Sequence, residues 1–131
     1  MKNREIKFRA WDTVNKKMID TPMAICSDAW VMFTAEVENL DCSNAIHPIQ
    51  QYALMQFTSL KDKNGKDIYE GDILLVRFGK HRVEVRWKVT GFGFFNLGTH
   101  QWQLLYVSDL KQIEVIGNIW EHPELLPDTA S

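Results

Sequence analysis

The stretch RVEVRWKVT, residues 82–90, alternates strictly between charged or polar and apolar side chains. Successive side chains of a β-strand point to opposite faces, so this pattern predicts a strand with one buried and one solvated face. The valines at 83, 85 and 89 and Trp87 form the apolar face, which places Trp87 in the predicted core. The opposite face carries Arg82, Glu84, Arg86 and Lys88.

The neighbouring segments predict four more short strands. DILLVRF (72–78) precedes the alternating stretch, and Gly79 to His81 has the length of a hairpin connection, so residues 72–90 read as a hairpin. The glycines in GFGFFNLG (91–98) predict a bulge or sharp bend. QWQLLYV (101–107), a helical turn from Ser108 to Leu110 and QIEVIGNIW (112–120) follow. Five strands with one helical turn before the last predict an SH3-like barrel over residues 61–126.

The N-terminal half predicts an antiparallel meander within residues 1–60. IKFRAW (6–11) is followed by a turn-like segment, and KMIDTPMAI and DAWVMFTAEV supply the next strands. Residues 36–49 lack a clean period and contain a proline, which favours a bridging loop or a short helix. Residues 127–131 read as a flexible tail. We therefore expect one mainly β domain, with the meander packed on the barrel and one or two short helical turns.

The segment KDKNGKDIYEGDILLV, residues 61–76, combines acids, an amide and glycines, and could be a metal loop or a turn. Counted from Asp62, a lysine stands at position 5 and an isoleucine at position 12 of an EF-hand loop, so the calcium spacing fails. Asn64 and Gly65 suit a type I′ hairpin turn, which tolerates positive φ at both central residues. Gly71 would supply a second turn, and Asp72 would accept backbone amides there.

Composition and charge exclude several classes of function. The 131 residues carry a net charge of −2 with a pI near 6.1, so the whole chain does not attract nucleic acid or an anionic membrane. No apolar stretch approaches the roughly 20 residues of a transmembrane helix, and the N-terminus shows no signal peptide, which predicts a cytoplasmic protein. The two cysteines should be reduced. The four scattered histidines form no zinc motif, and no phosphate loop or nucleophile elbow occurs, so we expect no metal, no cofactor and no enzyme activity.

Three blocks of the sequence together carry a family resemblance. REIKFRAWD with KKMI, then LMQFTSLKDKNGKDIYEGDIL, then IEVIGNIWEHPELL resemble the YopX-like proteins of bacteriophages and prophages, in the same order and over residues 4–126. The stretches 22–49 and 80–106 match no motif of that family. The resemblance implies a small soluble phage protein with a β-rich fold in the cytoplasm of the bacterial host. It implies no assigned activity and no catalytic residues.

The predicted hairpin is also the most basic part of the chain. Twelve positions hold a third of the 15 Lys and Arg residues, namely Arg77, Lys80, Arg82, Arg86 and Lys88. Cations repeating every two residues, roughly 6.6–7 Å apart, could follow successive phosphates while nearby phenylalanines stack on bases. The alternative is an ordinary solvated strand face, which the acid at position 84 favours. Nucleic-acid binding is therefore the second hypothesis.

The five tryptophans give the first hypothesis, which is a protein interface. Trp11 lies opposite Phe8 in its strand and Trp120 ends the last strand, so these two are the predicted interface residues. We expect a non-enzymatic module that binds a host or phage protein, or copies of itself, and no membrane. An exposed aromatic patch would favour this hypothesis, whereas a row of cations without an acidic neighbour would favour nucleic acid.

Overall fold

The computed structural model describes residues 5–20, 23–27, 30–33, 46–76, 79–88, 91–104 and 111–127. Within them the protein is mainly β, as predicted, and its helical segments are short 3₁₀ turns such as Ile49–Gln51 and Pro123–Leu125. The strands in chain order are β1 (Phe8–Asp12), β2 (Lys17–Ile19), β3 (Met23–Ser27), β4 (Trp30–Phe33), β5 (Ile46–Pro48), β6 (Tyr52–Lys61), β7 (Asp67–Tyr69), β8 (Asp72–Val76), β9 (His81–Lys88), β10 (Gly91–Asn96), β11 (Gln101–Gln103) and β12 (Glu114–Asn118). Arg77, the predicted turn at 108–110 and most of the predicted 36–49 loop lie outside the described residues.

Two compact units divide the chain, one formed by residues 6–56 and the other by residues 57–131 with the first five residues. In the first unit β1 pairs antiparallel with β2 and with the start of β6, which confirms the predicted return of the chain after the first turn. A separate three-stranded sheet has the order β3-β4-β5. The small apolar core of this unit consists of Ala10 and Tyr52, against which Ile19 and Leu54 pack.

In the second unit the predicted small barrel is present as a curled half-barrel. Its five-stranded antiparallel sheet has the order β11-β10-β9-β8-β12, in which the last strand returns to pair with the first, as in an SH3-like barrel. The predicted 72–90 hairpin is present as β8 and β9, paired from Ile73 with Glu84 to Val76 with His81. Fully buried aliphatic side chains form the core, namely Ile68, Leu74, Val76, Val83, Val85 and Ile113.

The hairpin turn after β6 differs from the predicted type I′ turn. Gly65 has a φ of 80°, but Asn64 does not adopt a positive φ. The N–H of Gly65 donates to the Asp62 carbonyl (3.0 Å), and the N–H of Asp62 donates to the Lys66 carbonyl (2.8 Å). This pattern is a type I turn followed by a left-handed glycine, the three-residue hairpin with a G1 bulge. One left-handed residue is enough for it, so the prediction of positive φ at both positions was wrong.

The acids of this segment bind backbone amides. The Asp62 carboxylate accepts the N–H groups of Asn64 (2.8 Å), Lys66 (2.9 Å) and, 53 residues away in β12, Val115 (3.0 Å). At the next turn Gly71 has a φ of 87°, and the buried Asp72 carboxylate accepts the N–H of Tyr69 (2.8 Å). Carboxylates in this role fix turns, and the Asp62 carboxylate also ties its turn to β12.

One alternative for the glycine-rich segment is present, whereas the predicted burial of Trp87 was wrong. The strands β9 and β10 pair without a register shift from Lys88 with Gly91 to Val83 with Asn96, so this ladder has no bulge. The predicted sharp bend is present as the turn at residues 97–100, which contains Gly98. Trp87 is 58% exposed rather than in the core. The pairing of β8 with β9 ends at Glu84, so Trp87 lies beyond the end of β8 and packs edge-on against Phe92 instead, with ring centroids 4.8 Å apart. Within the described residues, no helix is both long and apolar enough to cross a membrane.

Candidate functional site: an aromatic and cationic face of the barrel

The side of the β9–β10–β11 ladder that faces away from the core forms a composite surface. Cross-strand partners lie on the same side of a sheet, and the register pairs Glu84 with Phe95 and Phe95 with Trp102. We call this surface the outer face; it comprises Arg86, Lys88, Phe95, His100 and Trp102.

The rings of the outer face contact one another. Phe95 and Trp102 meet edge to face, with centroids 5.4 Å apart and an interplanar angle of 77°. His100 stacks on Phe95 at 6.3 Å and 15°. The backbone of His100 is left-handed, with a φ of 58°, and its N–H donates to the Asn96 carbonyl (2.9 Å). Trp102 nevertheless remains 47% exposed, so the surface offers a held aromatic ring to solvent.

Cationic side chains of β9 lie over the rings of Phe95 and Trp102. The guanidinium carbon of Arg86 lies 3.9 Å from the Phe95 ring centroid, and Lys88 Nζ lies 4.7 Å from that of Trp102. Contacts of this kind contribute about 0.5–1 kcal/mol each at exposed sites. Gly93 makes them compatible, because a Cβ at this position would collide with the Lys88 side chain and lie 2.8 Å from Trp102 Cζ3.

The charges of the outer face are partly compensated. Arg86 Nη2 lies 2.9 Å from Glu84 Oε1, and Glu84 is almost buried. Lys88 has no carboxylate within ion-pair distance among the described residues. Arg86 is therefore a held, neutralised cation, whereas Lys88 adds a positive charge at the rim.

Comparisons with known protein families agree with this fold. The model of the family described as "YopX protein" matches residues 7–127. The chain belongs to the YopX family. This membership confirms the resemblance found in the sequence. The family description assigns no biochemical activity. Comparison with curated proteins gives no match.

Solved structures of two proteins resemble this YopX family member along nearly the whole chain. Protein EF1440 from Enterococcus faecalis is 27% identical, with a TM-score of 0.64, and the match covers 95% of this chain and 100% of that one. YopX from Bacillus subtilis is 20% identical, with a TM-score of 0.60 and coverages of 92% and 98%. The second likeness shows the fold alone.

The predicted basic residues of this YopX chain divide into two groups. Arg86 and Lys88 lie over aromatic rings, whereas Lys80 and Arg82 are exposed and line a cleft at the end of the barrel. Arg77 lies outside the described residues. The described cations therefore do not share one environment along the strand.

The two predicted interface tryptophans also differ. Trp11 is only 8% exposed, so it is not an exposed contact residue; β1 is a central strand, with Met18 and Ala53 as its cross-strand partners at this position. Trp120 is 37% exposed and follows β12. Its backbone N–H donates to Asn118 Oδ1 (3.0 Å).

Trp102, like Trp87, is an exposed aromatic residue that the sequence analysis did not predict. It stands between two glutamines in QWQ, a pattern typical of a strand with a solvated face. Its contacts with Phe95 and Lys88 depend on the register of three strands, which the local pattern does not provide.

Proposed function

We propose that this chain is a non-enzymatic binding module whose outer face docks a segment of a partner protein. The partner chemistry that fits is an apolar or aromatic side chain beside a carboxylate. The observation that carries this proposal is the exposed Trp102 ring, held between Phe95 and the Lys88 ammonium group. As part of the same proposal, the module acts as a phage or prophage accessory protein in the bacterial cytoplasm.

The geometry suits a binding anchor because the ring is already oriented. Aromatic residues dominate the energetics of protein interfaces when they are rigid and become desolvated on binding. Phe95 restricts Trp102 from one side and Lys88 covers part of its face, so little side-chain entropy remains to be lost on binding. A partner side chain laid against the exposed part of Trp102 would bury apolar surface on both molecules.

The charges favour a protein segment over a polyanion. Glu84 lies against Arg86 and would repel a phosphate brought to that guanidinium. Lys88 at the rim could pair with a single carboxylate of the partner, which would fix the orientation of the docked segment.

Peptide display gives the sharpest test. Peptides are selected on the wild-type protein, with counter-selection against Trp102→Ala, and the affinities of the enriched peptides are then measured. We expect sequences that combine an aromatic or aliphatic residue with Asp or Glu. Trp102→Ala and Lys88→Glu should each weaken their binding by about tenfold or more, because each removes one of the two recognised features.

Trp87→Ala is the matched control. Trp87 is also an exposed tryptophan of the same sheet, but it points to the opposite side of β9. Peptides without apolar or acidic residues, or an equal loss of affinity in both tryptophan variants, would contradict the proposal. Sedimentation of the wild type and of Trp102→Ala over a range of concentrations shows whether a second copy of the chain occupies the face instead.

Nucleic-acid binding is the second candidate, favoured by a specific observation. Lys80, Arg82 and Lys88 have no carboxylate partner among the described residues, and Trp102 offers a ring on which a base could stack. Anisotropy titrations of labelled single-stranded DNA, duplex DNA and RNA at two salt concentrations test this. Salt-sensitive binding that is lost in Arg86→Glu/Lys88→Glu would support it, and flat titrations would exclude it.

A further inference from the structure

A cleft of about 340 Å³ opens at one end of the barrel, between the start of β9, the turn after β10 and residues 125–127. This volume lies within the range of roughly 300–1,000 Å³ that is usual for small-molecule sites. We propose that this cleft binds the phosphate monoester of a small organic molecule. None of its lining residues belongs to the outer face, so the proposal does not depend on the docking of a protein segment there.

One side of the cleft is cationic. Lys80 and Arg82 line it and are exposed, and no acidic residue is among the residues that line it. A phosphate monoester carries a charge of about −1.5 to −2 at neutral pH, which these two cations would balance. A guanidinium group can also donate two parallel hydrogen bonds to phosphate oxygens.

Asn96 determines which ring nitrogen of His81 carries the proton. Asn96 Oδ1 accepts the N–H groups of Gly98 (2.8 Å) and Thr99 (3.0 Å), which fixes the orientation of the amide. Its Nδ2 must then donate, and it contacts Gln103 Oε1 (2.7 Å) and His81 Nδ1 (3.3 Å). With Nδ1 accepting this bond, the ring proton lies on Nε2, and because His81 lines the cleft we assign that N–H as a donor to the ligand.

The turn after β10 adds a further polar group. Thr99 lines the cleft, and its exposed hydroxyl can donate to a phosphate oxygen. Together with the Lys80, Arg82 and His81 donors, this provides donors of four chemical types for a group with three terminal oxygens. A carboxylate has only two oxygens and would leave more of these donors unused.

The other side of the cleft is apolar and indicates that the anion carries an organic body. Leu97, Leu125, Leu126 and Pro127 line it. The turn that presents the last three is held by the N–H of Leu125, which donates to the His122 carbonyl (3.0 Å), and by His122 Nδ1, which accepts the N–H of Asn118 (3.2 Å). A free phosphate ion would leave this wall without contact, whereas a base or a sugar would cover it.

Calorimetric titration of the full chain with a nucleoside monophosphate, a hexose phosphate and inorganic phosphate tests the proposal. We expect at least one of the two organic phosphates to bind more tightly than inorganic phosphate. Whichever of the nucleoside monophosphate and the hexose phosphate binds more tightly shows whether a nucleoside or a sugar carries the recognised phosphate. Arg82→Gln and Lys80→Gln should each weaken that binding by about tenfold, the loss of one charge-assisted hydrogen bond. Lys111→Gln, which replaces an exposed lysine outside the cleft, should bind as the wild type does.

Amide NMR of the same samples provides a second readout. The organic phosphate should shift the Gly98 and Thr99 resonances and leave those of Phe95 and Trp102 in place. Trp102→Ala should retain phosphate binding, which separates this proposal from the docking of a protein segment. Absence of binding by every phosphate, equal affinity for inorganic and organic phosphate, or equal losses in Arg82→Gln and Lys111→Gln would overturn it.

Discussion

Ser59 has a strained backbone conformation. Its φ is 74°, in the left-handed region, although it lies inside β6. The pairing of β6 with β7 shifts register between Phe57 and Lys61, so Ser59 belongs to an irregularity of the strand. Thr58 Oγ1 holds this irregularity by donating to the Ile68 carbonyl (2.7 Å) and accepting the N–H of Leu60 (3.1 Å). The strain at one residue is compensated by its neighbours.

Ser59→Gly should therefore stabilise the protein. Glycine adopts positive φ without the penalty of about 1–2 kcal/mol that a Cβ incurs, and part of this gain is offset by the larger entropy of the unfolded chain. We expect a gain of about 0.5–1 kcal/mol in urea unfolding, and a loss for Ser59→Val, because β-branched residues tolerate this region least. Lys61→Gly, at an extended position of the same strand, should destabilise. A loss of stability in Ser59→Gly would contradict the role assigned to this φ.

Turn residues were the most predictable individual residues, because their chemistry is local. Gly65 and Gly71 have the left-handed backbone that only glycine adopts freely, and Asp72 accepts an amide three residues away. The bond from Val115 to Asp62 could not be predicted in this way. It joins positions 53 residues apart, and only the tertiary fold brings the turn beside β12.

At the scale of strands, the two-residue period predicted β9 and its pairing with β8, but not where burial ends. Val83 and Val85 are fully buried while Trp87, on the same face, is exposed. Periodicity assigns a side chain to a face, whereas burial also needs a neighbouring strand, and β8 stops short of Trp87. The outer face could not be predicted from the sequence for a related reason. Its residues belong to β9, β10 and β11, and only the register of these strands brings them together.

Gly93→Ala tests how the outer face is assembled. The added Cβ would displace the Lys88 side chain and press on Trp102, whose ring cannot move without leaving Phe95. We expect a destabilisation of about 1–3 kcal/mol, typical of overpacking, and a shift of the Trp102 indole N–H resonance. The cost should be clearly smaller in a Trp102→Ala background, where the ring is absent. An equal cost in both backgrounds would mean that Gly93 is required for the backbone and not for this contact.

At the scale of the whole molecule, both compact units contain a carboxylate that holds a turn. In the first unit the buried Asp12 accepts the N–H groups of Val14 and Asn15 (3.0 Å each) and the side-chain amides of Asn15 (2.8 Å) and Gln51 (3.1 Å). In the second, Asp62 accepts three backbone amides. Ionised carboxylates are the acceptors that such clusters of donors favour.

These bonds decide the response of the protein to acid. Burial alone would raise the pKa of Asp12, but the hydrogen bonds from Asn15, Gln51 and Val14 outweigh it and lower the pKa from 3.8 to about 2. For Asp62 burial likewise acts to raise the pKa, and the amides of Val115, Lys66 and Asn64 lower it overall. A folded-state pKa below the unfolded one means that the unfolded chain binds the proton more readily. The stabilisation is therefore present above about pH 4 and is lost as the pH falls towards 2.

Thermal unfolding between pH 7 and pH 2 should show this loss. We expect the melting temperature of the wild type to fall steeply below about pH 4, and the fall to be shallower in Asp12→Asn and Asp62→Asn, which are less stable at neutral pH but have no carboxylate to protonate at that position. Asp20→Asn, at an exposed position, is the control and should follow the wild-type curve. If all three variants keep the wild-type slope, the acid sensitivity arises at other carboxylates, and the two turns are held by their backbone bonds alone.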